Sequence, residues 1–97
     1  MISHLVLFKL KSGVTRNDAR LGRLVGTMGT LPDNISEIKA WEHGFNLTED
    51  AEAWDYGLRA VFESEADLHA NFGHPAHLPV LDGWNEIATL SFVDIEI

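Results

Sequence analysis

Two of the five histidines in this 97-residue chain stand either side of a proline, in the run Asn71-Phe72-Gly73-His74-Pro75-Ala76-His77-Leu78-Pro79. Imidazole titrates nearest neutrality, so this is the stretch best suited to acid–base chemistry. His74 precedes Pro75 and is biased away from helical geometry, so a helix arriving from residue 64 is expected to stop near Gly73. Pro75 suits the opening of a new helical turn. That turn would carry His77, where unpaired backbone N–H groups and the positive end of the helix favour a neutral ring able to take up a proton. The plainer reading is that His-Pro is a kink and His77 a satisfied polar residue at a helix start. His74 and His77 also have an i, i+3 spacing that can share a metal ion, but Pro75 interrupts the helix that would align them. No acidic residue follows at a helical spacing to complete a ligand set, and no metal is expected.

His4 and Asp94 stand near the two ends of the chain, each on a strand face shared with apolar neighbours. A buried aspartate needs a partner. A hydrogen bond from Asp94 to His77 or to His4 fixes a tautomer and leaves the other ring nitrogen free for proton transfer. The alternative is a solvated Asp94 on a fraying terminal strand.

Hydrophobic periodicity defines the elements that position these groups. From Ile2 to Lys11, His4, Val6, Phe8 and Leu10 alternate with Leu5 and Leu7, which reads as a strand covered on both faces. Thr15-Arg16-Asn17-Asp18 resembles a helix cap, with the helix starting near Arg16 and Leu21, Leu24, Val25, Met28 and Leu31 forming its buried stripe. Gly22, Gly26 and Gly29 gather on another side, as a close-approach surface or a marginal solvent face. Residues 35 to 46 form a second strand, in which His43 is given no role. Trp54 to Glu63 is the clearest period-two segment and forms the third. Ser64-Glu65-Ala66-Asp67 caps a short helix ending at Gly73, with His69 in water. Pro79 can start one more helical segment that turns Val80, Leu81 and Trp84 inward. A last strand runs from Ile87 to Ile97.

The order βαββαβ predicts an α+β, ferredoxin-like domain over residues 1–97, a four-stranded antiparallel sheet with helices on one face. The other sheet face is too apolar to stay in water, so two sheets packed face to face, a homodimer, are expected. A cavity between sheet and helices then becomes the ligand site. Its expected lining is Val6 and Phe8 of the first strand, Asn71 and His74 of the histidine motif, and Trp84.

Seven Lys plus Arg against fifteen Asp plus Glu give a net charge of −8, which opposes nucleic acid and anionic membrane surfaces as partners. Cysteine is absent, which removes disulfides, thiolate metal sites and thiol nucleophiles. Leu5-Val6-Leu7-Phe8 is too short for a signal core or a membrane span, and the default expectation is a cytoplasmic, soluble protein. Neither a nucleophile elbow nor a phosphate or dinucleotide loop occurs, and no cofactor is expected.

Ile2 to Lys11, Glu42-His43-Gly44-Phe45-Asn46, Phe62-Glu63-Ser64, His74-Pro75-Ala76-His77 and Val93-Asp94 together resemble the stress-responsive A/B barrel (Dabb) domain family over essentially the whole chain. The resemblance implies a dimeric α+β barrel. A plant polyketide cyclase of that family works without metal or cofactor, which implies His77 as general base, Asp94 as its orienting partner and His4 as a second polar group on the pocket. That cyclase has a tyrosine three residues before the first histidine of the motif, where this chain has Asn71, an amide that cannot titrate usefully. The expected function is therefore the binding of a small hydrophobic, oxygenated molecule near a His/Asp pair. Cofactor-free cyclase or isomerase activity and a non-enzymatic stress or assembly role are the alternatives.

Overall fold

The computed structural model describes residues 1–97 and orders its elements β1 (Ile2–Leu10), α1 (Ala19–Met28), α2 (Leu31–Asn34), β2 (Ala40–Phe45), β3 (Tyr56–Phe62), α3 (Glu65–Phe72), α4 (Leu78–Ile87) and β4 (Ala88–Glu96). The four strands form one antiparallel sheet in the order β2-β3-β1-β4. This is the ferredoxin-like α+β arrangement that the element order predicts.

Residues directly paired across strands share a face of the sheet. The register therefore writes three rows on the helix side: Trp41, Ala60, His4 and Asp94; His43, Leu58, Val6 and Phe92; Phe45, Tyr56, Phe8 and Leu90. Phe8 and Tyr56 pack their rings on Trp84 of α4 at centroid distances of 4.4 and 5.2 Å. Burying such side chains contributes about 1.5–3 kcal/mol each, which makes this aromatic group the anchor of α4 on the sheet. On the opposite sheet face Ser3 and Val61 are buried, but the chain leaves much of the rest uncovered. Leu7, Val93 and Ile95 stand exposed there.

Several boundaries differ from expectation for local chemical reasons. α1 starts at Ala19, not near Arg16, because the Asp18 carboxylate takes the cap and accepts the Arg20 backbone N–H at 2.9 Å. β3 starts at Tyr56, not Trp54, because Asp55 turns its carboxylate back to accept the Leu10 N–H at 2.8 Å. β2 is shorter than 35 to 46, and Ile35 ahead of it is fully buried instead of paired in the sheet. Ser64 caps α3 as expected, accepting the Asp67 N–H at 3.2 Å.

Of the expected stripe, Leu21 and Met28 are buried in α1 and Leu24 and Val25 are half-buried, while Leu31 falls in the separate α2; Gly22 and Gly26 have open space where a side chain would go. Close approach occurs instead at Gly83 of α4, where a Cβ would lie 2.7 Å from Leu24 Cδ2. α4 passes into β4 without a loop, through an extended Ala88. No helix is long and apolar enough to cross a membrane.

Candidate functional site

A cavity of about 270 Å³ lies between the helix side of the sheet and the helices. β1 contributes His4, Val6 and Phe8, β4 contributes Leu90 and Phe92, and Leu58 and Trp41 extend the floor. The roof is built by Met28 and Leu31, by Phe72 of α3, and by His77, Val80, Leu81 and Trp84 around α4. Every lining side chain is apolar or aromatic except His4 and His77. A larger depression of about 590 Å³ on the opposite face of the sheet is open to solvent and includes Leu5, Leu7, Gly57 and Val93. It touches neither His4 nor His77, so the smaller internal cavity is the candidate site.

His4 is positioned by strand register. It lies opposite Asp94, and its Nδ1 is 2.5 Å from Asp94 Oδ1. An ionised carboxylate only accepts, so Nδ1 carries the proton and donates, leaving Nε2 for another partner. His4 is 5% exposed, whereas the Asp94 side chain keeps 28% of its surface. The carboxylate that the sequence allows to orient either His77 or His4 thus serves His4. The resemblance-based assignment of Asp94 to His77 does not match this geometry.

His77 is held by the helix junction. Its position is the N-cap of α4, one residue ahead of the first turn expected to contain it, because Pro79 favours the first helical positions and sets the start at Leu78. The N–H groups of His77 and Leu78 both donate to the His74 carbonyl, at 2.9 and 3.1 Å, which closes the turn. Phe72 packs against both cavity histidines, its ring centroid 5.2 Å from His4 and 6.2 Å from His77. Burial pushes the His77 pKa down, and the neighbouring His4 and His74 push the same way, while backbone hydrogen bonding at Phe72 opposes them. The ring is consequently neutral at pH 7. Its Nδ1 is buried and has no protein partner.

The other expected residues divide. Val6, Phe8 and Trp84 line the cavity, and the buried Trp84 Nε1 also lacks a protein partner. Asn71 is 1% exposed with an unpartnered Oδ1, but it lies off the cavity lining. His74 is likewise off the lining, and its Nδ1 accepts the Ala76 N–H at 3.0 Å. It clasps the turn, because a proline-containing junction leaves that N–H without a helical acceptor.

Strand register also assembles groups that spacing alone did not single out. Trp41 donates its Nε1–H to the Met28 carbonyl at 2.9 Å, pinning β2 to the end of α1 over the cavity. His43, to which the sequence assigns no role, hydrogen-bonds through Nδ1 to the Tyr56 hydroxyl. Burial pushes the Tyr56 phenol up to about 12, so it remains protonated. Leu58, Leu90 and Phe92 reach the cavity because they share rows with Val6 and Phe8. Their alternation is visible in the sequence, but the pairing register that brings them together is not.

Comparison with known proteins adds family membership to this geometry. A 33% identical protein from Streptomyces coelicolor, the uncharacterized SCO4036, aligns over 96 residues and 99% of each chain. A dimeric protein of unknown function and ferredoxin-like fold from Bacteroides fragilis superposes with a TM-score of 0.83 at 27% identity, covering 99% of this chain and 95% of that one. A hydroxynitrile lyase from Passiflora edulis has a TM-score of 0.84 at 20% identity, covering 99% and 92%, and shares the fold. The model of the Stress responsive A/B Barrel Domain family matches residues 2–97, and the chain belongs to that Dabb family.

Proposed function

We propose that this chain binds a small, largely hydrophobic molecule carrying a hydroxyl or carbonyl oxygen, and that it works as a homodimer. The observation that carries the binding reading is His77 Nδ1, a buried and unpartnered polar atom on a residue lining a cavity that is apolar apart from His4. An unsatisfied buried polar atom costs about 1–3 kcal/mol, and a ligand oxygen removes that cost. At about 270 Å³ the space suits a compact ligand of one or two rings. The neutral ring accepts from a hydroxyl, or donates to a carbonyl in its other tautomer. The homodimer reading rests on the exposed apolar sheet face and on the dimeric B. fragilis relative.

Thermal melts of wild type and His77→Ala with phenols and hydroxyketones test the binding reading. A ligand at a hundredfold excess over its Kd stabilises the wild type by about 2.7 kcal/mol. Equal shifts in both proteins, or none in either, contradict it.

A second reading, cofactor-free acid–base catalysis, is favoured by one observation: a neutral His77 and a carboxylate-held His4 pack against the same phenylalanine. One ring is suited to take a proton and the other to hold an oxygen. The lyase of similar fold is an enzyme, which makes turnover worth assaying. A ligand found by the melts that is converted by wild type but not by His77→Ala, with the dimer intact, supports catalysis. Conversion at the same rate by both sinks it.

A further inference from the structure

His77, Val80, Leu81 and Trp84 stand at positions i, i+3, i+4 and i+7 along α4, and all four line the internal cavity. His77 keeps helical backbone angles although it caps the helix, so the four belong to one continuous face. Seven residues advance about 10 Å along a helix and return to nearly the same side. The face is therefore polar at its two ends, with Val80 and Leu81 as its apolar middle. Three side-chain polar atoms of the chain are buried without a protein partner, and two of them, His77 Nδ1 and Trp84 Nε1, belong to these end residues.

Trp84 is 1% exposed and packs its ring on Phe8 and Tyr56. A buried indole N–H ordinarily finds an acceptor. Trp41 does so in the same molecule, donating to the Met28 carbonyl at 2.9 Å. The Tyr56 hydroxyl, the polar end of a ring against Trp84, is engaged by His43. Packing thus explains the indole ring and leaves its N–H unsatisfied. An imidazole nitrogen changes role with its tautomer, but an indole nitrogen only donates, so the group that completes Trp84 is an acceptor.

We propose that Trp84 Nε1–H is a specificity-determining donor of the cavity and that the ligand is of the hydroxyaryl ketone class. Its carbonyl oxygen accepts from Trp84, its hydroxyl meets His77, and its ring lies along Val80 and Leu81. Resting on the binding reading above, this narrows the ligand from one oxygen to two at opposite ends of an apolar body. A hydroxyl and a carbonyl para to one another on a ring point apart as this face requires, whereas ortho groups hydrogen-bond to each other instead. A ligand without the carbonyl leaves the buried N–H unpaired, which is the condition under which polar sites discriminate strongly.

para-Hydroxyacetophenone and para-ethylphenol have nearly the same shape and share the hydroxyl, but only the ketone offers an acceptor at the far end. Their dissociation constants are measured by calorimetry with wild type, His77→Ala and Trp84→Phe. Wild type should prefer the ketone about tenfold, and Trp84→Phe, which keeps an aromatic ring without the N–H, should lose that preference. In ¹H–¹⁵N spectra of wild type, with its three indole signals assigned through Trp41→Phe and Trp54→Phe, the Trp84 proton should move downfield with the ketone and not with para-ethylphenol. Equal or reversed affinities, with binding that still depends on His77, overturn the proposal and leave the binding reading standing. A ketone preference that survives Trp84→Phe shows that another donor reads the carbonyl and also overturns it. Binding of neither compound overturns both. If Trp84→Phe fails to fold, the wild-type indole spectrum decides in its place, and a Trp84 signal unmoved by saturating ketone overturns the proposal.

Discussion

His77 combines an unpartnered Nδ1 with a pKa lowered by burial. Replacing it with leucine removes the unsatisfied atom. We expect His77→Leu to stabilise the ligand-free protein by about 1 kcal/mol in urea unfolding while abolishing ligand stabilisation. Lower stability together with unchanged ligand binding contradicts the role given to this ring. The lowered pKa also predicts a pH dependence. Below the ordinary value of 6.5 the unfolded chain binds a proton at this residue that the folded chain refuses. Stability attributable to His77 is thus complete above that pH and declines as pH falls from it towards the folded pKa. Melts of wild type and His77→Gln between pH 8 and 5 should show the variant gaining relative to wild type at acid pH, and parallel curves contradict this. Asp94→Asn retains shape but loses the ionised acceptor of His4, and because Asp94 is partly solvated the expected cost is about 1 kcal/mol, read from the denaturation midpoint at unchanged m.

At the scale of elements, α1 and α4 give opposite predictions for glycine. Gly26 has open space around it, so Gly26→Ala gains helix propensity and is expected to stabilise by about 0.5–1 kcal/mol. At Gly83 a Cβ already meets Leu24 Cδ2 at 2.7 Å, so the branched side chain of Gly83→Val must displace the Leu24 side chain. We expect it to destabilise by about 1–3 kcal/mol. Thermal melts of the two variants that change in the same direction contradict this packing. The contrast also shows what was legible in the sequence. Strand alternation, the buried Leu21 and Met28 of α1 and the Ser64 cap all follow from local periodicity and hydrogen-bonding chemistry, and the structure has them. Gly83 carries no such signal, because its constraint comes from a side chain 59 positions away in the sequence. The pairing of Asp94 with His4 and not with His77 has the same origin, since register across 90 residues decides it. His74 is expected on the cavity lining, but the backbone turn claims its Nδ1. Which of two similar residues reaches a cavity is decided by tertiary direction, which spacing does not encode.

Across the whole molecule, a net charge of −8 per chain and an apolar sheet face act against each other in self-association. Like charges are screened by salt, whereas apolar burial is not, so dimerisation and melting temperature should both rise from low to moderate ionic strength. Melting temperature should also rise with protomer concentration, and sedimentation that stays monomeric across the range contradicts the homodimer. The cavity remains the centre of the account, with its two histidines held in different ways inside an apolar shell. Its most direct test is ¹⁵N NMR of histidine-labelled protein titrated with aromatic alcohols and hydroxyketones of one or two rings. The His77 Nδ1 resonance should move and saturate with added ligand, while the exposed His69 stays fixed. Saturable binding that leaves His77 unmoved, or no binding by any of these compounds, would contradict it.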